Sequence, residues 1–276
     1  MQQLKICFLG TGSMGSAVLS GLIAAGHQPK LISATTRSEA SAANLRAKGI
    51  SALSLETSPD ANALLSADAD VVVLGVKPYQ ISDVLNEIKD QLPKQAVVIS
   101  MAAGLELAAM ARDLPEHQNF VRSMPNTPAL VGKAVTGLAA WKDAEPGAID
   151  IASWLFESVG QVVEVAEEQI NALSAISGSG PAWIYFIVEK WEQVALNKGF
   201  NKEQAATLVR GTLIGAAELL SASLAEPAEL RRQVTSPGGT TERIIAKLDE
   251  ANLDQLFAAA LDAAVARAKE IAGNKD

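Results

Sequence analysis

Residues 10–15 read GTGSMG, a glycine-rich turn between an apolar run and a helical stretch. In this context the G-x-G-x-x-G spacing is typical of a loop that holds the pyrophosphate of a dinucleotide against a helix N-terminus. We expect Gly10 to make the tight turn, Gly12 to admit the phosphates, and Gly15 to let the helix pack closely on the strand. The predicted dinucleotide contacts are Gly10, Thr11, Gly12, Ser13, Met14 and Gly15. A glycine-rich turn in another α/β fold is the alternative.

The end of the second predicted strand, SATTRS at 33–38, bears on the choice of nicotinamide cofactor. An acid at this place would accept hydrogen bonds from the ribose 2′-OH of NAD. The first acid is Glu39, whereas Thr35, Thr36 and Arg37 suit a 2′-phosphate. We therefore predict that NADPH is preferred over NADH. A solvated charge at a helix start is the alternative interpretation of Arg37.

Three further loops follow predicted strands: GVKP at 75–78, SMAAG at 100–104 and MPNTP at 124–128. Ligands of an open parallel sheet bind beyond the carboxyl ends of the strands. The predicted cofactor contacts in these loops are Val76, Lys77, Pro78, Met101, Ala102 and Ala103. Lys77 could equally be a surface charge, and MPNTP a proline-rich turn.

Residues suited to acid–base chemistry are scarce in this chain. Its two histidines, His27 and His117, are expected on the surface, and neither has a carboxylate or serine in a suggestive arrangement. No H-x-x-H pair or acidic cluster indicates a metal site, so no metal is predicted. Reduction of a carbonyl usually needs a positioned general acid. A protonated C=N bond is already electrophilic, so the scarcity favours an imine substrate that the protein mainly orients.

The stretch TSPGGTTERI at 235–244 is typical of a loop that enters a helix N-terminus. Such a loop offers backbone N–H groups to a carboxylate, and Ser236, Thr240 and Thr241 add hydroxyls. A helix cap formed by one of the threonines is the structural alternative. The residues by themselves do not decide between the two.

Composition excludes several classes of protein. The 276 residues carry a net charge of −8 and have a pI near 5.0, which argues against nucleic acid as a partner because phosphates need a basic face. The single cysteine, Cys7, lies in an apolar run and is interpreted as a buried hydrophobe. We find neither a signal peptide nor a run typical of a membrane span. A cytoplasmic protein without a membrane partner is expected.

The order of predicted elements indicates the fold class. Strand-like runs alternate with helical stretches, and they lie at 4–10, 30–36, 69–78, 95–104, 119–132, 133–141 and 161–166. Continuous apolar strands separated by helices predict a parallel sheet covered on both faces. We therefore predict an α/β fold, with a Rossmann-type, doubly wound domain at 1–165 and an all-α dimerisation domain at 166–276. The helices of the second domain are apolar over more than one stripe, which favours a homodimer.

Two motifs carry a family resemblance. SGSGPAW at 177–183, followed by VTSPGGTTERIIAKL at 234–248, resembles the pyrroline-5-carboxylate reductase family. FLGTGSMG, DVVVLGVKP and RSMPNTPALVG match that family's pattern in the same order. The resemblance covers nearly the whole chain. The C-terminal loop motif is specific to the family, whereas many dehydrogenases share the N-terminal glycine motif.

The resemblance implies NAD(P)H-dependent reduction of 1-pyrroline-5-carboxylate to L-proline, the last step of proline biosynthesis. It implies a substrate site made of Ser236, Gly238, Gly239, Thr240 and Thr241. It places Thr241 near the ring nitrogen and Glu167 near the active site, both as catalytic candidates, and Asn62 at the adenosine side of the cofactor. It also implies a helical dimerisation domain, active sites built by two subunits and, in some members, rings of five dimers.

Two rival functions remain open. A β-hydroxyacid dehydrogenase shares the glycine start and a helical second half, but it uses a lysine that the stretch SGSGPAWIYF lacks before Lys190. A protein that senses dinucleotides without turnover would keep the glycine motif and lose the substrate loop. The intact SPGGTT argues against it.

Overall fold

The computed structural model describes residues 3–273, and its contacts divide the chain into two compact units. The first unit takes in the residues up to Ser179 together with those from Ala264 onward. The second unit is Gly180–Ala263. A sheet covered by helices forms the first unit, and helices form the second.

A sheet with strand order β3-β2-β1-β4-β5-β6-β7-β8 forms the centre of the first unit. Within the described residues its strands are β1 Ile6–Leu9, β2 Ile32–Thr36, β3 Ser51–Ser54, β4 Val71–Leu74, β5 Val97–Ser100, β6 Phe120–Met124, β7 Ala134–Ala140 and β8 Gly160–Glu164. Strands β1 to β6 run parallel to one another. The predicted doubly wound α/β fold is confirmed, with the chain reversing its direction of travel between β1 and β4.

The expectation of a parallel sheet is wrong at its last two strands, β7 and β8, which run opposite to β1–β6. β7 pairs antiparallel with β6, and β8 then pairs parallel with β7. The reason lies in the connection, since a parallel crossover needs a dozen or more residues. Only residues 125–133 separate the two strands. They contain the short 3₁₀ helix Thr127–Val131 and a left-handed Gly132, with φ of 69°.

The central strands are buried on both faces, which explains their unbroken apolar sequence. In β1, Ile6 and Phe8 belong to one hydrophobic cluster, whereas Cys7 and Leu9 belong to the cluster on the opposite face. Alternate residues of a strand point to opposite faces, so each face of the sheet receives its own core. Cys7 is buried as expected, and burial raises the pKa of its thiol to about 12.

Helices cover both faces of this sheet. They are α1 Ser13–Ala24, α2 Glu39–Arg46, α3 Ala61–Ser66, α4 Ile81–Ile88, α5 Leu107–Asp113, α6 Pro146–Glu157 and α7 Ile170–Leu173. Sequence analysis missed β3, α3 and α5. Each has seven residues or fewer, and β3 reads SALS with little apolar character. Such short segments take their structure from packing rather than from periodicity.

The second unit has very little core of its own. Its helices are α8 Gly180–Asn197, α9 Lys202–Ala222, α10 Pro227–Gln233, α11 Thr240–Asp249 and the start of α12 Leu253–Gly273. The structure describes all of Gly180–Ala263, and among these residues Ala205 and Val209 are the buried hydrophobic side chains. Large apolar side chains are exposed on α8, α9, α11 and α12. Exposed apolar surface on this scale marks an interaction face.

The two units meet in sequence later than the predicted boundary between 165 and 166. Contacts group α7 and the π-helix Ser174–Gly178 with the sheet. The Leu173 side chain lies directly over Gly137 of β7, where a Cβ would collide with it. The boundary at 165 marks the end of the sheet and stays a prediction as a domain border.

Among the described residues, α9 is long and apolar enough to cross a membrane by length and composition alone. Only 11% of its most apolar window is buried within this chain. One helix of this kind is weak evidence for a membrane span.

Candidate active site

Five loops gather at the carboxyl edge of the sheet in the first unit. They follow β1, β2, β4, β5 and β6, and they contain GTGSMG, Arg37, GVKP, SMAAG and MPNTP. Parallel strands share one carboxyl edge, so these loops lie on the same side of the sheet. β1 and β4 are neighbours at the point where the strand order reverses, which is where such sheets bind dinucleotides.

Close backbone packing fixes the glycine loop. Gly10 has φ of 80°, and a Cβ on it would collide with the Val76 side chain and lie 3.1 Å from the Val76 nitrogen. A Cβ on Gly75 would collide with the carbonyl oxygen of Gly10. Gly12, by contrast, is exposed, and no atom lies within 4 Å of the place where its Cβ would stand. The loop is therefore rigid at Gly10 and open at Gly12.

The packing role predicted for Gly15 does not hold. A Cβ on Gly15 would meet its neighbours at 3.7 Å or more, which is ordinary contact. The close approach of α1 occurs further along the helix, where a Cβ on Gly21 would lie 2.8 Å from the carbonyl oxygen of Ser158. Gly15 as a cofactor contact stays a prediction.

The N-terminus of α1 is bare. Gly12 is its N-cap, no side chain caps it, and its first turn holds no acidic residue. The first N–H groups of a helix have no acceptor within the helix, and they carry its positive partial charge. Ser13 lies exposed at the first helical position. This end of α1 is suited to an anion such as a pyrophosphate.

Threonines at the end of β2 tie down the glycine loop. The Thr35 hydroxyl oxygen accepts the Gly10 N–H at 2.9 Å, and the Thr35 carbonyl accepts both the N–H and the hydroxyl of Thr11 at 3.0 and 3.1 Å. The Thr36 hydroxyl donates to the Ser38 carbonyl at 2.9 Å. These hydroxyls are engaged within the chain, whereas Arg37 is exposed. Cofactor contacts by Thr35, Thr36 and Arg37 stay predictions, and the geometry favours Arg37.

An acid from another loop lies at the N-terminus of α2, close to Arg37 in the sequence. The Glu56 carboxylate, between β3 and α3, accepts the N–H of Glu39, the first residue of α2, at 3.0 Å. The sequence contains no acid at the end of β2 before Glu39, but the fold brings Glu56 to the same edge. Sequence analysis missed Glu56 because the contact depends on β2 pairing with β3.

The side-chain amide of Asn62, on α3, is buried, and its nitrogen but not its oxygen has a hydrogen-bond partner among the described residues. It is 2% exposed, and its Nδ2 donates to the Glu87 carboxylate at 2.6 Å. Its Oδ1 is buried and has no partner within the described residues. A buried acceptor without a donor is costly, so this oxygen is suited to a ligand hydroxyl.

Residues after β4 and β5 line the same edge. Val76 lies against Gly10, and the Met101 Cε lies within 4 Å of a Cβ on either Gly15 or Gly75. Lys77 is exposed and precedes a 3₁₀ turn that contains Pro78. Ala102 is buried, with its N–H bound to the Ser100 hydroxyl at 3.2 Å, and Ala103 is exposed. Their contacts with a cofactor stay predictions, and the structure places all of them beside the glycine loop.

The MPNTP loop is linked to the SGSGP segment by Asn126, which sequence analysis passed over. Its Nδ2 donates to the Ser177 carbonyl and its Oδ1 accepts the Val135 N–H, both at 2.9 Å. The carbonyl is available because Pro181, four positions further along the chain, has no N–H to donate to it. A Cβ on Gly178 would lie 3.1 Å from the Met124 Cε. The glycine there permits close packing against the loop after β6.

Glu167 takes part in a buried polar cluster. One of its carboxylate oxygens accepts the Leu107 N–H at 2.6 Å and lies 3.4 Å from a guanidinium nitrogen of Arg122. Arg122, on β6, is 3% exposed and also donates to Asn171 at 3.2 Å. These contacts join β6, the N-terminus of α5 and the segment before α7. The catalytic role of Glu167 stays a prediction, and its observed contacts are structural.

The substrate loop predicted at 236–241 lies in the second unit. The Gly239 N–H donates to the Ser236 carbonyl at 3.0 Å and closes a turn, with Gly238 in a left-handed conformation at φ of 69°. α11 begins at Thr240 with Gly239 as its N-cap, and no side chain caps it. The alternative that a threonine caps the helix is therefore wrong. The hydroxyls of Thr240 and Thr241 are not used as N-caps.

Two protein-family models match the chain. One is described as pyrroline-5-carboxylate reductase dimerisation and matches residues 167–271. The other is described as NADP oxidoreductase coenzyme F420-dependent and matches residues 5–104, from β1 past β5.

Full-length relatives give a sharper comparison. The pyrroline-5-carboxylate reductase of Methanosarcina acetivorans is 38% identical over 272 residues, which are 98% of this chain and 99% of that protein. The structure of a pyrroline-5-carboxylate reductase from Coxiella burnetii matches with a TM-score of 0.92 and 39% identity, and 98% of each chain is covered. The chain belongs to the pyrroline-5-carboxylate reductase family. A pyrroline carboxylate reductase from Plasmodium falciparum, solved with NADP bound, matches with a TM-score of 0.82, 27% identity and 99% of each chain.

The carboxyl edge of this family member fits a dinucleotide on three observations. The N-terminus of α1 is bare, Gly12 opens onto free space, and the Asn62 Oδ1 is a buried acceptor without a donor among the residues that the structure describes. A ligand with phosphates and ribose hydroxyls would satisfy all three. The residues of the first unit that the sequence assigned to the cofactor lie on one edge of its sheet.

Neither histidine lies at this edge. The expectation that both histidines are on the surface is wrong, since His27 is 9% and His117 is 8% exposed. His27 packs edge-on against Trp154, and His117 against Phe120. His27 follows α1 and His117 precedes β6, so both lie towards the amino edge of the sheet. Among the described residues, no group of three or more His, Cys, Asp or Glu side chains could hold a metal ion.

Proposed function

We propose that this protein reduces 1-pyrroline-5-carboxylate to L-proline in proline biosynthesis, with NADPH as the preferred reductant and NADH as the alternative. One observation carries the proposal. In a full-length relative of named pyrroline-5-carboxylate reductases, a bare helix N-terminus with a glycine cap stands at the sheet edge, and a second glycine turn stands at the N-terminus of α11. These features suit, in turn, the phosphates of a dinucleotide and the single carboxylate of the imino acid.

Binding of the substrate carboxylate falls to the second turn. The N–H groups of Thr240 and Thr241 open the first turn of α11, where no intrahelical acceptor exists. Gly238 and the Ser236 hydroxyl add two further donors on the same turn. Such an arrangement favours an anion of one carboxylate, and it fixes the orientation of the ring attached to it.

The chemistry asks little of the protein beyond orientation. The ring nitrogen enters protonated, so addition of a hydride to the C=N carbon gives the secondary amine without a separate proton transfer. When bound, the reduced nicotinamide supplies that hydride. The Thr241 hydroxyl holds the ring nitrogen, and Glu167 stands as the second catalytic candidate. This division of work agrees with a site that has no histidine and with an expected independence from metal.

Discrimination between NADPH and NADH is assigned to Arg37. Its exposed guanidinium follows β2, where the 2′ group of an adenine ribose lies in this fold. A planar guanidinium pairs with phosphate in a bidentate manner. Asn62 takes a ribose or adenine group through its unpartnered Oδ1. A preference for NADPH follows.

A homodimer is the proposed assembly. The second unit exposes large apolar side chains over several helices, and the family model that matches residues 167–271 is described as a dimerisation domain. Burial of these side chains against a second copy removes them from water. Rings of five dimers are a larger assembly that light scattering distinguishes by mass. A cytoplasmic location, without nucleic acid or membrane as partner, stays a prediction.

The deciding experiment follows the absorbance of NADPH at 340 nm with purified protein and 1-pyrroline-5-carboxylate. We expect rapid oxidation that depends on the imino acid, slower oxidation of NADH, and no effect of a chelator. A 3-hydroxyacid with NADP in the opposite direction is the control substrate. Hydroxyacid oxidation without imine turnover would contradict the proposal, as would cofactor binding with no turnover of either.

A further inference from the structure

A carboxylate of the chain itself already occupies the proposed substrate turn. The Gly238 N–H donates to Oε2 of Glu242 at 2.9 Å. Glu242 is the third residue of α11, so its side chain folds back over the first turn as the glutamate of a capping box does. It is exposed on its outer side. The local sequence shows Glu242 only as an acid before an apolar helix.

The same N–H is one of the donors that the proposed function gives to the substrate carboxylate. One N–H cannot serve two carboxylates at full strength, and two negative charges at one helix N-terminus repel each other. We propose that Glu242 is an internal competitor of the substrate: it occupies the Gly238 N–H in the free protein and leaves it when the substrate carboxylate binds. This inference rests on the proposed function and adds a residue that sets the affinity of its site.

Local geometry makes the competition effective and reversible. Glu242 lies four positions after Gly238, and such a short tether gives an effective concentration in the millimolar range or above. The released carboxylate returns to water at small cost because Glu242 is exposed. Meanwhile the Gly239 N–H holds the Ser236 carbonyl at 3.0 Å, so the turn keeps its shape while the donor changes partner.

The same contact affects anionic and neutral cyclic imines differently. A cyclic imine without a carboxylate offers nothing to replace Glu242 at the Gly238 N–H. Such a ligand leaves Glu242 in place and does not use the turn. An anion of one carboxylate does replace it, and the helix N-terminus stabilises either occupant to a similar degree. Glu242 therefore weakens the affinity for the carboxylate-bearing ligand and leaves the affinity for a neutral imine unchanged.

The test compares Glu242→Gln with Glu250→Gln. Glu250 lies just beyond the other end of α11, is exposed and pairs with Lys247, so its variant makes the same charge change away from the turn. We expect Glu242→Gln to lower the KM for 1-pyrroline-5-carboxylate and the inhibition constant of L-proline by about three- to tenfold, as for a site that a competitor fills most of the time. The KM for NADPH, and both constants in Glu250→Gln, should not change.

A second variant separates competition from helix capping. Glu242→Asp keeps the charge but shortens the side chain, so it weakens the contact with Gly238; a fall in the imino-acid KM is expected here too. If Glu242→Gln lowers the melting temperature too far for kinetics, Glu242→Asp decides the matter. An unchanged or raised KM in the folded variants would overturn the inference while wild-type turnover leaves the proposed function standing. Absence of turnover in the wild-type protein would overturn both.

Discussion

The N-termini of α1 and α11 are the two proposed anion sites, and the protein builds them in opposite ways. At α1 the glycine turn is fixed from behind, because Gly10 packs against Val76 and its N–H binds the Thr35 hydroxyl at 2.9 Å. At α11 the left-handed Gly238 has no atom within 4 Å of where a Cβ would stand. A local turn, closed by Gly239 and Ser236, holds it instead.

The charges differ as well as the packing. α1 has no acidic residue in its first turn, whereas α11 carries Glu242 there and uses it on Gly238. A bare, rigid N-terminus is preorganised for one ligand and loses nothing when the ligand binds. A turn that holds its own carboxylate must exchange one anion for another. The first arrangement suits a cofactor with several phosphates, and the second suits a small substrate that enters and leaves in each turnover.

The two units that carry these sites also differ in how many apolar side chains they bury. β1, β4 and β5 are buried along their whole length, and each buried large apolar side chain contributes about 1.5–3 kcal/mol. In the second unit, Ala205 and Val209 are the buried hydrophobic residues among Gly180–Ala263. The proposed α1 site therefore belongs to a unit with a well-packed hydrophobic core. The proposed α11 site belongs to a unit that leaves most of its large apolar side chains exposed.

The largest effect is expected at the rigid end. Gly10→Ala introduces a methyl group against Val76 at a φ of 80°, so it should destabilise the fold by about 2–4 kcal/mol through overpacking and backbone strain. Gly12→Ala is the matched control, because its Cβ meets nothing. It should keep the wild-type melting temperature and weaken NADPH binding by about tenfold or more through steric conflict with the phosphates. Thermal melting and cofactor titration measure the two effects.

Equal melting temperatures for the two alanine variants would contradict the conclusion that Gly10 is tightly packed and Gly12 is not. A Gly12→Ala protein that binds NADPH as the wild type does would move the pyrophosphate away from the N-terminus of α1.

The next effect is expected at Thr241. Thr241→Ala removes a hydroxyl that is not used as the helix N-cap, so the fold should keep its stability. Loss of the proposed hydrogen bond between this hydroxyl and the substrate ring nitrogen should lower kcat/KM for the imino acid by about 10- to 100-fold. Thr240→Ala, one position earlier on the same turn, is the control and should lose less. A fall in melting temperature large enough to account for the lost activity would restore a structural role for Thr241.

Much of the first site could be predicted from local sequence. The runs that became β1, β4 and β5 are apolar without interruption because both faces of each strand are buried, and GTGSMG stands in the expected place between β1 and α1. The antiparallel β7 could not be predicted, because its direction depends on the short path from Met124 to Ala134. Nor could the burial of His27, which depends on Trp154 arriving from α6.

The second site shows a different kind of omission. The signal for Glu242 is present in the sequence as a glutamate three residues after Gly239. In the sequence, the hydroxyls of Thr240 and Thr241 are stronger candidates for a helix cap than the Glu242 carboxylate, so the pattern does not single out Glu242. The link from Asn126 to Ser177 spans 51 residues, and no local pattern connects them. Contacts made across the fold are decided by packing, which a single sequence does not display.

A smaller effect concerns the choice of cofactor. The N-terminus of α2 is a third case. As at α11, a carboxylate of the chain binds an N–H group there, since Glu56 accepts the Glu39 N–H at 3.0 Å. Arg37→Ala should reduce the proposed preference for NADPH over NADH by roughly five- to tenfold, because it removes the guanidinium proposed to bind the 2′-phosphate. Glu56→Gln should shift the preference in the opposite direction by a few fold. The measurement is the ratio of kcat/KM for the two cofactors at fixed imino acid. An unchanged ratio in Arg37→Ala would remove the phosphate role from that residue.

The smallest expected effect is a dependence of the melting temperature on pH, which arises from histidines of the first unit. Burial lowers the pKa of both His27 and His117 below their usual value of 6.5, and both residues belong to the first unit. The unfolded chain therefore binds more protons than the folded chain, so the stability contributed by the neutral histidines is complete above about pH 6.5 and is lost as the pH falls below it. We expect the melting temperature to be lower at pH 5.5 than at pH 7.5, and the difference to shrink in His27→Gln and again in the double variant with His117→Gln. The second unit contains no histidine. If the double variant shows the same difference in melting temperature as the wild type, then carboxylates, and not the buried histidines of the first unit, cause the acid sensitivity.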